Sequence, residues 1–373
     1  MIYWLIQGQN LILRISGAAV LSFLIVLVLG PKVIRFLIRR KLGDRPEFDR
    51  ADLNELTRNK SNTPTMGGIL IVAAIFIGVL TFANLDNMYI KTSLVALVWL
   101  GGLGAVDDWF KLRRISGQTS RDGLKMWEKM IFQIGLSVLV AIFIWYYASQ
   151  SDVPDPSGRI VNPAHSLYLP FLRDPIALSQ LAYVVIAVLT IVGSSNAVNL
   201  TDGMDGLAGG CMIIVSAVFL ILAEVVGVEQ WATFFNLPVV YGSAEMTILC
   251  ASMLGACLGF LWYNAHPAQV FMGDTGSLPL GGLLGYTALV TRQEALLLLA
   301  GGVFFAEALS VILQVSYFKY TKRKTGEGRR LFRCAPIHHH FHLAGWAEPK
   351  VVIRFWIVTI VLAALALATL KLR

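Results

Sequence analysis

Apolar runs close to the length of a membrane-crossing helix recur along almost the whole chain, and no other feature limits the fold so strongly. A helix needs about 20 mostly apolar residues to cross the hydrocarbon core of a bilayer. Ten stretches meet or approach that length: 18–38, 67–86, 90–106, 130–147, 179–198, 207–227, 246–263, 276–291, 295–318 and 351–370. Only 14% of the residues are charged, whereas a soluble domain usually carries about a quarter. The sequence therefore predicts an all-α polytopic membrane protein with about ten transmembrane helices, in one integral membrane domain over 1–373. The first run has no small-residue cleavage site and more spans follow it, so it reads as a span and not as a cleaved signal peptide.

Ten spans put both termini on one side and make the loops alternate. Twenty-one of the 31 basic residues fall in the alternate set 39–66, 107–129, 199–206, 264–275 and 319–350. The positive-inside rule makes that side cytoplasmic and both termini exterior. On the other side, loop 148–178 is rich in Pro, Ser and Asp and is expected to form a small hairpin or surface helix. The spacings Gly255-x-x-x-Gly259 and Gly281-x-x-x-Gly285 suit close helix contacts. The cysteines, Cys211, Cys250, Cys257 and Cys334, form no C-x-x-C pair and read as packing residues.

Five polar islands interrupt the apolar pattern: KSNTPTMGG (60–68), DDWFK (107–111), NAVNLTDGMDG (196–206), NAHPAQVFMGDTGS (264–277) and APIHHHFHLAGW (335–346). The predicted topology puts all of them at span ends on the cytoplasmic side. Solvated loop charge and helix caps would explain any one of them, but hardly five on one face. Carboxylates at an interface are expensive, yet their hard oxygens hold Mg²⁺, which bridges phosphate oxygens. Lysines add point charge for the same phosphates. Asn199 and Asn264 offer donor and acceptor together, as a base or sugar requires, and Phe271 offers a stacking face. The cluster HHHFH admits three readings: a Zn²⁺ site, a solvated loop, or contact with phosphate or nucleotide.

Taken together, TPTMGG (63–68), DDWFK (107–111), SNAVNLTDGMDGLA (195–208), NAHPAQVFMGDTGSLPLGG (264–282), PIHHHFHLAGW (336–346) and EPKVVIRFW (348–356) resemble the phospho-N-acetylmuramoyl-pentapeptide transferases, within the polyprenyl-phosphate N-acetylhexosamine-1-phosphate transferase superfamily. The resemblance runs in order from about residue 30 to the last residues. It implies transfer of phospho-MurNAc-pentapeptide from UDP-MurNAc-pentapeptide to undecaprenyl phosphate, giving lipid I and UMP, with Mg²⁺ as cofactor. It also implies a cytoplasmic-face cleft in the bacterial inner membrane, a homodimer, and no nucleic-acid partner.

Position by position, the resemblance matches Asp107 and Asp108 to a catalytic aspartate pair, with Asp107 as base for the lipid phosphate. Asp274 matches the Mg²⁺-binding aspartate. Asn199, Asp202 and Asp205 match a substrate-binding loop. Lys60, Asn264 and Phe271 match the uridine pocket. Thr65, Lys111, Lys125, His338, His339 and His340 match positions around the phosphates and sugar. The chain departs from the family at His342, where Glu is frequent, and at Met204, where Leu is usual.

Two rivals are open to test. A GlcNAc-1-phosphate transferase would use the same lipid, but HHHF points to the muramoyl branch. An ion-coupled transporter would place its ionisable groups near mid-membrane on broken helices, whereas these islands lie at span ends. Direct attack of the lipid phosphate is favoured over a phospho-aspartate intermediate, because a carboxylate engaged with metal is a poor nucleophile.

Overall fold

The computed structural model describes residues 10–40, 63–115, 123–148, 153–154, 160–162, 166–172 and 174–371. Among them are thirteen α-helices and almost no sheet. These are α1 (Leu11–Arg39), α2 (Gly68–Phe82), α3 (Met88–Ile115), α4 (Met126–Ala148), α5 (Gln180–Thr201), α6 (Leu207–Gly227) and α7 (Glu229–Phe234), then α8 (Met246–Asn264), α9 (Asp274–Thr291), α10 (Glu294–Ala300), α11 (Gly302–Thr325), α12 (Ile337–Leu343) and α13 (Glu348–Thr369). Every expected span falls on helix. Eight helical stretches are long and apolar enough to cross a membrane, while α2, at 15 residues, is apolar but short.

The helices start and stop up to several residues from the expected bounds, as with α1 from Leu11 and α2 to Phe82, and three differences bear on the site. The expected span 295–318 breaks at Gly301 into α10 and α11, because glycine in a helix interior leaves the backbone free to turn. Helix α3 runs on past residue 106 and carries Asp107, Asp108 and Lys111 on its last turns. The histidines 338–340 lie on the short helix α12, so successive rings splay by about 100° and do not alternate as they would in an extended segment. In loop 148–178 the expected hairpin pairing is present as two short antiparallel ladders, Val153–Pro154 with Ile160–Val161 and Ser166–Leu167 with Ile176–Ala177.

Helix α9 is buried at every position. It packs against α3 on one side and α5 on the other, and touches α2. Helix α8 packs on α1, α2 and α6. The outer faces of α1, α11 and α13 carry exposed Val28, Ile312 and Ile357 among other apolar residues, as a lipid-facing surface requires. Small residues set the closest approaches. A Cβ at Gly255 would meet the carbonyl of Ala19 in α1, and one at Gly281 the carbonyl of Ser194 in α5. Two further contacts concern the site directly. Gly68 of α2 lies against the backbone of Gly276, and Gly104 of α3 against the carbonyl of Asp274. The first turn of α9 is thus held between two glycines with no side chain intervening.

Candidate functional site

Four helix ends and three loops converge around the start of α9. The turn into α9 passes through Gly273, whose φ of +71° favours glycine. A Cβ there would also stand 2.6 Å from Asp108 Oδ2 and 3.0 Å from Thr65 Oγ1. The segment 63–68 lies along 270–272 through backbone bonds: Phe271 N–H donates to Pro64 O (2.8 Å), Gly67 N–H to Phe271 O (2.9 Å) and Gly68 N–H to Met272 O (2.9 Å). Thr65 is buried there. Lys60, matched to the uridine pocket, lies outside the described residues.

Asp107, Asp108 and Asp274 are all buried, and each offers an oxygen within 4.8 Å of the others. Their partners separate their jobs. Asp108 closes the N-terminus of α9. Its Oδ1 accepts from the Asp274 N–H (3.2 Å), and its Oδ2 from the Thr275 N–H (2.9 Å) and Thr275 hydroxyl (2.7 Å). Asp107 Oδ1 accepts from the Leu124 N–H (2.6 Å), while its Oδ2 meets Nζ of both Lys111 and Lys129 at 2.7 Å. Asp274 Oδ2 meets Lys129 Nζ at 2.7 Å. Its Oδ1 meets Lys111 Nζ at 3.2 Å and accepts from Asn199 Nδ2 at 2.9 Å. Asn199 also donates to Ser277 Oγ (2.8 Å), so it orients the carboxylate of Asp274.

Lys129 is the residue the sequence reading missed. Lys125, matched to the phosphate region, is exposed, and its backbone N–H donates to Glu128 Oε2 (2.8 Å). Four residues on, one helical turn into α4, Lys129 bridges Asp107 and Asp274. The sequence signal was only two lysines four residues apart at a helix start, and the structure places Lys125 before the first residue of α4 and Lys129 on its first turn.

The aspartates of the 202–206 loop also differ from each other. Asp202 caps the end of α5 and is half-buried. Desolvation, then the charges of Asp274 and Asp108, push its pKa up to about 7. Asp205 ties loops together. Its Oδ2 accepts from the Ala268 N–H (3.1 Å) and lies 3.1 Å from His266 Nδ1, and its own N–H donates to Glu348 Oε1 (2.9 Å). Asp205, His266 and Glu348 are close enough to share an ion, but these hydrogen bonds already use several of their donor and acceptor atoms. Asn264 is buried in the same knot, accepting from the Gly206 N–H (3.0 Å) and donating to Val270 O (2.8 Å).

Of the histidines, His338 and His339 are buried, with ring centroids 4.2 Å apart. His340 Nδ1 accepts from the Arg333 N–H (3.1 Å). Among the described residues, the two groups close enough to hold one ion include none of these three. Another acidic residue departs from the sequence pattern. Glu307 sits inside α11, fully enclosed, within an apolar run and outside the five polar islands. Its signal was available, since a lone carboxylate within an apolar run needs a partner.

Buried carboxylates whose oxygens meet shared ammonium groups suit the handling of anions. Asp108 shows which part of this cluster is structural. Replacing it with Ala strands three donors at a helix start, each unmade bond costing about 1–3 kcal/mol. Asp108→Ala is therefore expected to lower the thermal unfolding temperature in detergent by several degrees, and an unchanged transition would show that the cap is dispensable.

Residues 90–292 match the family described as glycosyl transferase family 4. Residues 60–72 match a phospho-N-acetylmuramoyl-pentapeptide-transferase signature. A phospho-N-acetylmuramoyl-pentapeptide-transferase of Desulfotalea psychrophila is 46% identical over 361 residues, covering 97% of this chain and 94% of that protein. One of Leptospira biflexa serovar Patoc is 42% identical over 362 residues, with the same coverage of 97% and 94%.

Proposed function

Because the chain belongs to the phospho-N-acetylmuramoyl-pentapeptide transferases, we propose that it transfers phospho-MurNAc-pentapeptide from UDP-MurNAc-pentapeptide to undecaprenyl phosphate at the Asp107–Asp274–Lys129 cluster. The products are lipid I and UMP. The observation that carries this placement is the double contact of Lys129 Nζ, 2.7 Å from both Asp107 and Asp274. Carboxylates and cations from three helices meet there at one point.

Both reactants are anions, so their approach requires charge neutralisation. Lys111 is more open than Lys129, with 40% of its side chain exposed against 20%. In this reading Lys111 meets the incoming phosphates and Lys129 holds the carboxylate frame. Three carboxylates against two ammonium groups leave room for more positive charge, and their hard oxygens suit Mg²⁺. Asp274 and Asp107 would hold it, and bound Mg²⁺ would screen the diphosphate. Asp108 is committed to the start of α9. The lipid phosphate attacks the sugar-side phosphorus of the diphosphate, its bond to the UMP oxygen breaks, and UMP leaves. A phosphate monoester has its second pKa near 6, so the attacking group is mostly ionised at neutral pH and asks little of Asp107 as base. Asp202 and Phe271 border the nucleotide. The active site faces the cytoplasm, where the basic ends of α1 and α11 lie under the positive-inside rule.

The test is UMP release by the purified protein in detergent with Mg²⁺ and undecaprenyl phosphate. Release is expected with UDP-MurNAc-pentapeptide and not with UDP-GlcNAc. Release with UDP-GlcNAc alone would move the protein to the sister branch and sink the muramoyl reading.

A further inference from the structure

Glu307 has no exposed surface and belongs to a helix long and apolar enough to cross a bilayer. A carboxylate in that position persists when it is paired. Its Oε2 lies 3.1 Å from Nδ1 of His338, an ionic contact outside hydrogen-bond alignment, and accepts the His338 backbone N–H at 3.4 Å. His338 is equally enclosed. The far side of its ring, at Nε2, abuts Gly203 where a Cβ would stand. Gly203 has no left-handed φ that would itself call for glycine, so the ring, not the backbone, excludes a side chain there. Gly203 is exposed on its other side. The imidazole therefore lies beneath the loop that carries Asp202, and the loop is what faces outward.

We propose that Glu307 is a positioning residue. It fixes the His338 ring, and the ring supports the 202–206 loop at the height at which Asp202 meets the nucleotide. A carboxylate beside one ring nitrogen that also holds the same residue's backbone N–H restrains where the imidazole sits. This rests on the reading above that puts the nucleotide at that loop. The carboxylate–lysine cluster has its own supports, so losing Glu307 weakens nucleotide binding and leaves the chemical step alone. Such a loss of uniform binding raises KM with kcat unchanged.

The experiment is steady-state UMP release by the full-length protein, varying each substrate in turn. Glu307→Gln is expected to raise KM for UDP-MurNAc-pentapeptide about tenfold, with kcat and the KM for undecaprenyl phosphate unchanged. In a His338→Ala background the same substitution is expected to add nothing, since Glu307 acts through that ring. A drop in kcat, an equal rise in both KM values, or full additivity with His338→Ala would overturn the proposal. If Glu307→Gln does not purify as folded protein, Gly203→Ala takes its place. It should raise the nucleotide KM alone, and in a His338→Ala background it should add nothing, because the ring its methyl would meet is gone. A wild-type KM for Gly203→Ala would count against the prop. Failure of the wild type to release UMP from this substrate would instead sink the underlying functional reading.

Discussion

Replacing Asp274 with Asn is expected to cut UMP release by about three orders of magnitude while the protein stays folded. The amide keeps the shape and can still accept from Asn199, but it carries no charge for Lys111 or Lys129. One preorganised electrostatic group at a reacting centre is worth about 10²–10³ in rate, and a lost anchor for a divalent cation adds to that. Stability should barely move. The neutral amide leaves no unpaired charge of its own, and both lysines keep Asp107 as a partner. The carboxylate's place in the first turn of α9 adds about 0.3–1 kcal/mol. Asp274→Asn and Asp108→Ala should therefore part company, the first silent in thermal unfolding and the second not. The measurements are kcat/KM for UMP release and the unfolding transition on the same preparations. Activity of Asp274→Asn within tenfold of wild type would mean that the reaction occurs elsewhere.

A second large effect is expected at Lys129. Lys129→Met keeps much of the aliphatic stem but removes the charge that bridges Asp107 and Asp274. The two carboxylates then repel, and kcat/KM should fall by about 10²–10³. Lys125→Met should leave it unchanged, because that side chain is exposed. Lys129→Arg is not expected to restore activity, since a planar fork replaces a compact point charge between two close carboxylates. Equal losses at 125 and 129 would show that the bridge between Asp107 and Asp274 is not what sets Lys129 apart.

That pair of lysines marks where sequence reading ends. The spans were legible because a bilayer demands length and apolarity, and 207–227 is a helix at exactly those limits. The aspartates at 107, 108 and 274 were legible because charge at the edge of an apolar run is costly and so conspicuous. Their separate jobs were not. That Asp108 closes a helix and Asp107 does not depends on how α3 and α9 meet, about 165 residues apart in the chain. Asn264 and Asp205 have the right chemistry for nucleotide contact, yet much of their bonding goes to the loops themselves. Glu307 stands inside an apolar run, where a lone carboxylate signals a buried partner but does not say which one. Its partner, His338, lies 31 residues further on, and no local pattern connects the two.

The glycine contacts around α9 bear on how this enzyme can change. At most helix positions, exchanging glycine for alanine is a cheap route to stability, worth about 0.4–1 kcal/mol. At Gly68 and Gly104 the added methyl would press on backbone, and backbone cannot rotate away as a side chain can. Gly104 stands three residues before Asp107, so the push would travel straight into the spacing of the carboxylates. This wall of the site is therefore closed to gradual remodelling. An inhibitor seated against it would face a surface with few viable substitutions, and escape would have to arise around 332–337 and 340–346, where side chains are partly or fully exposed.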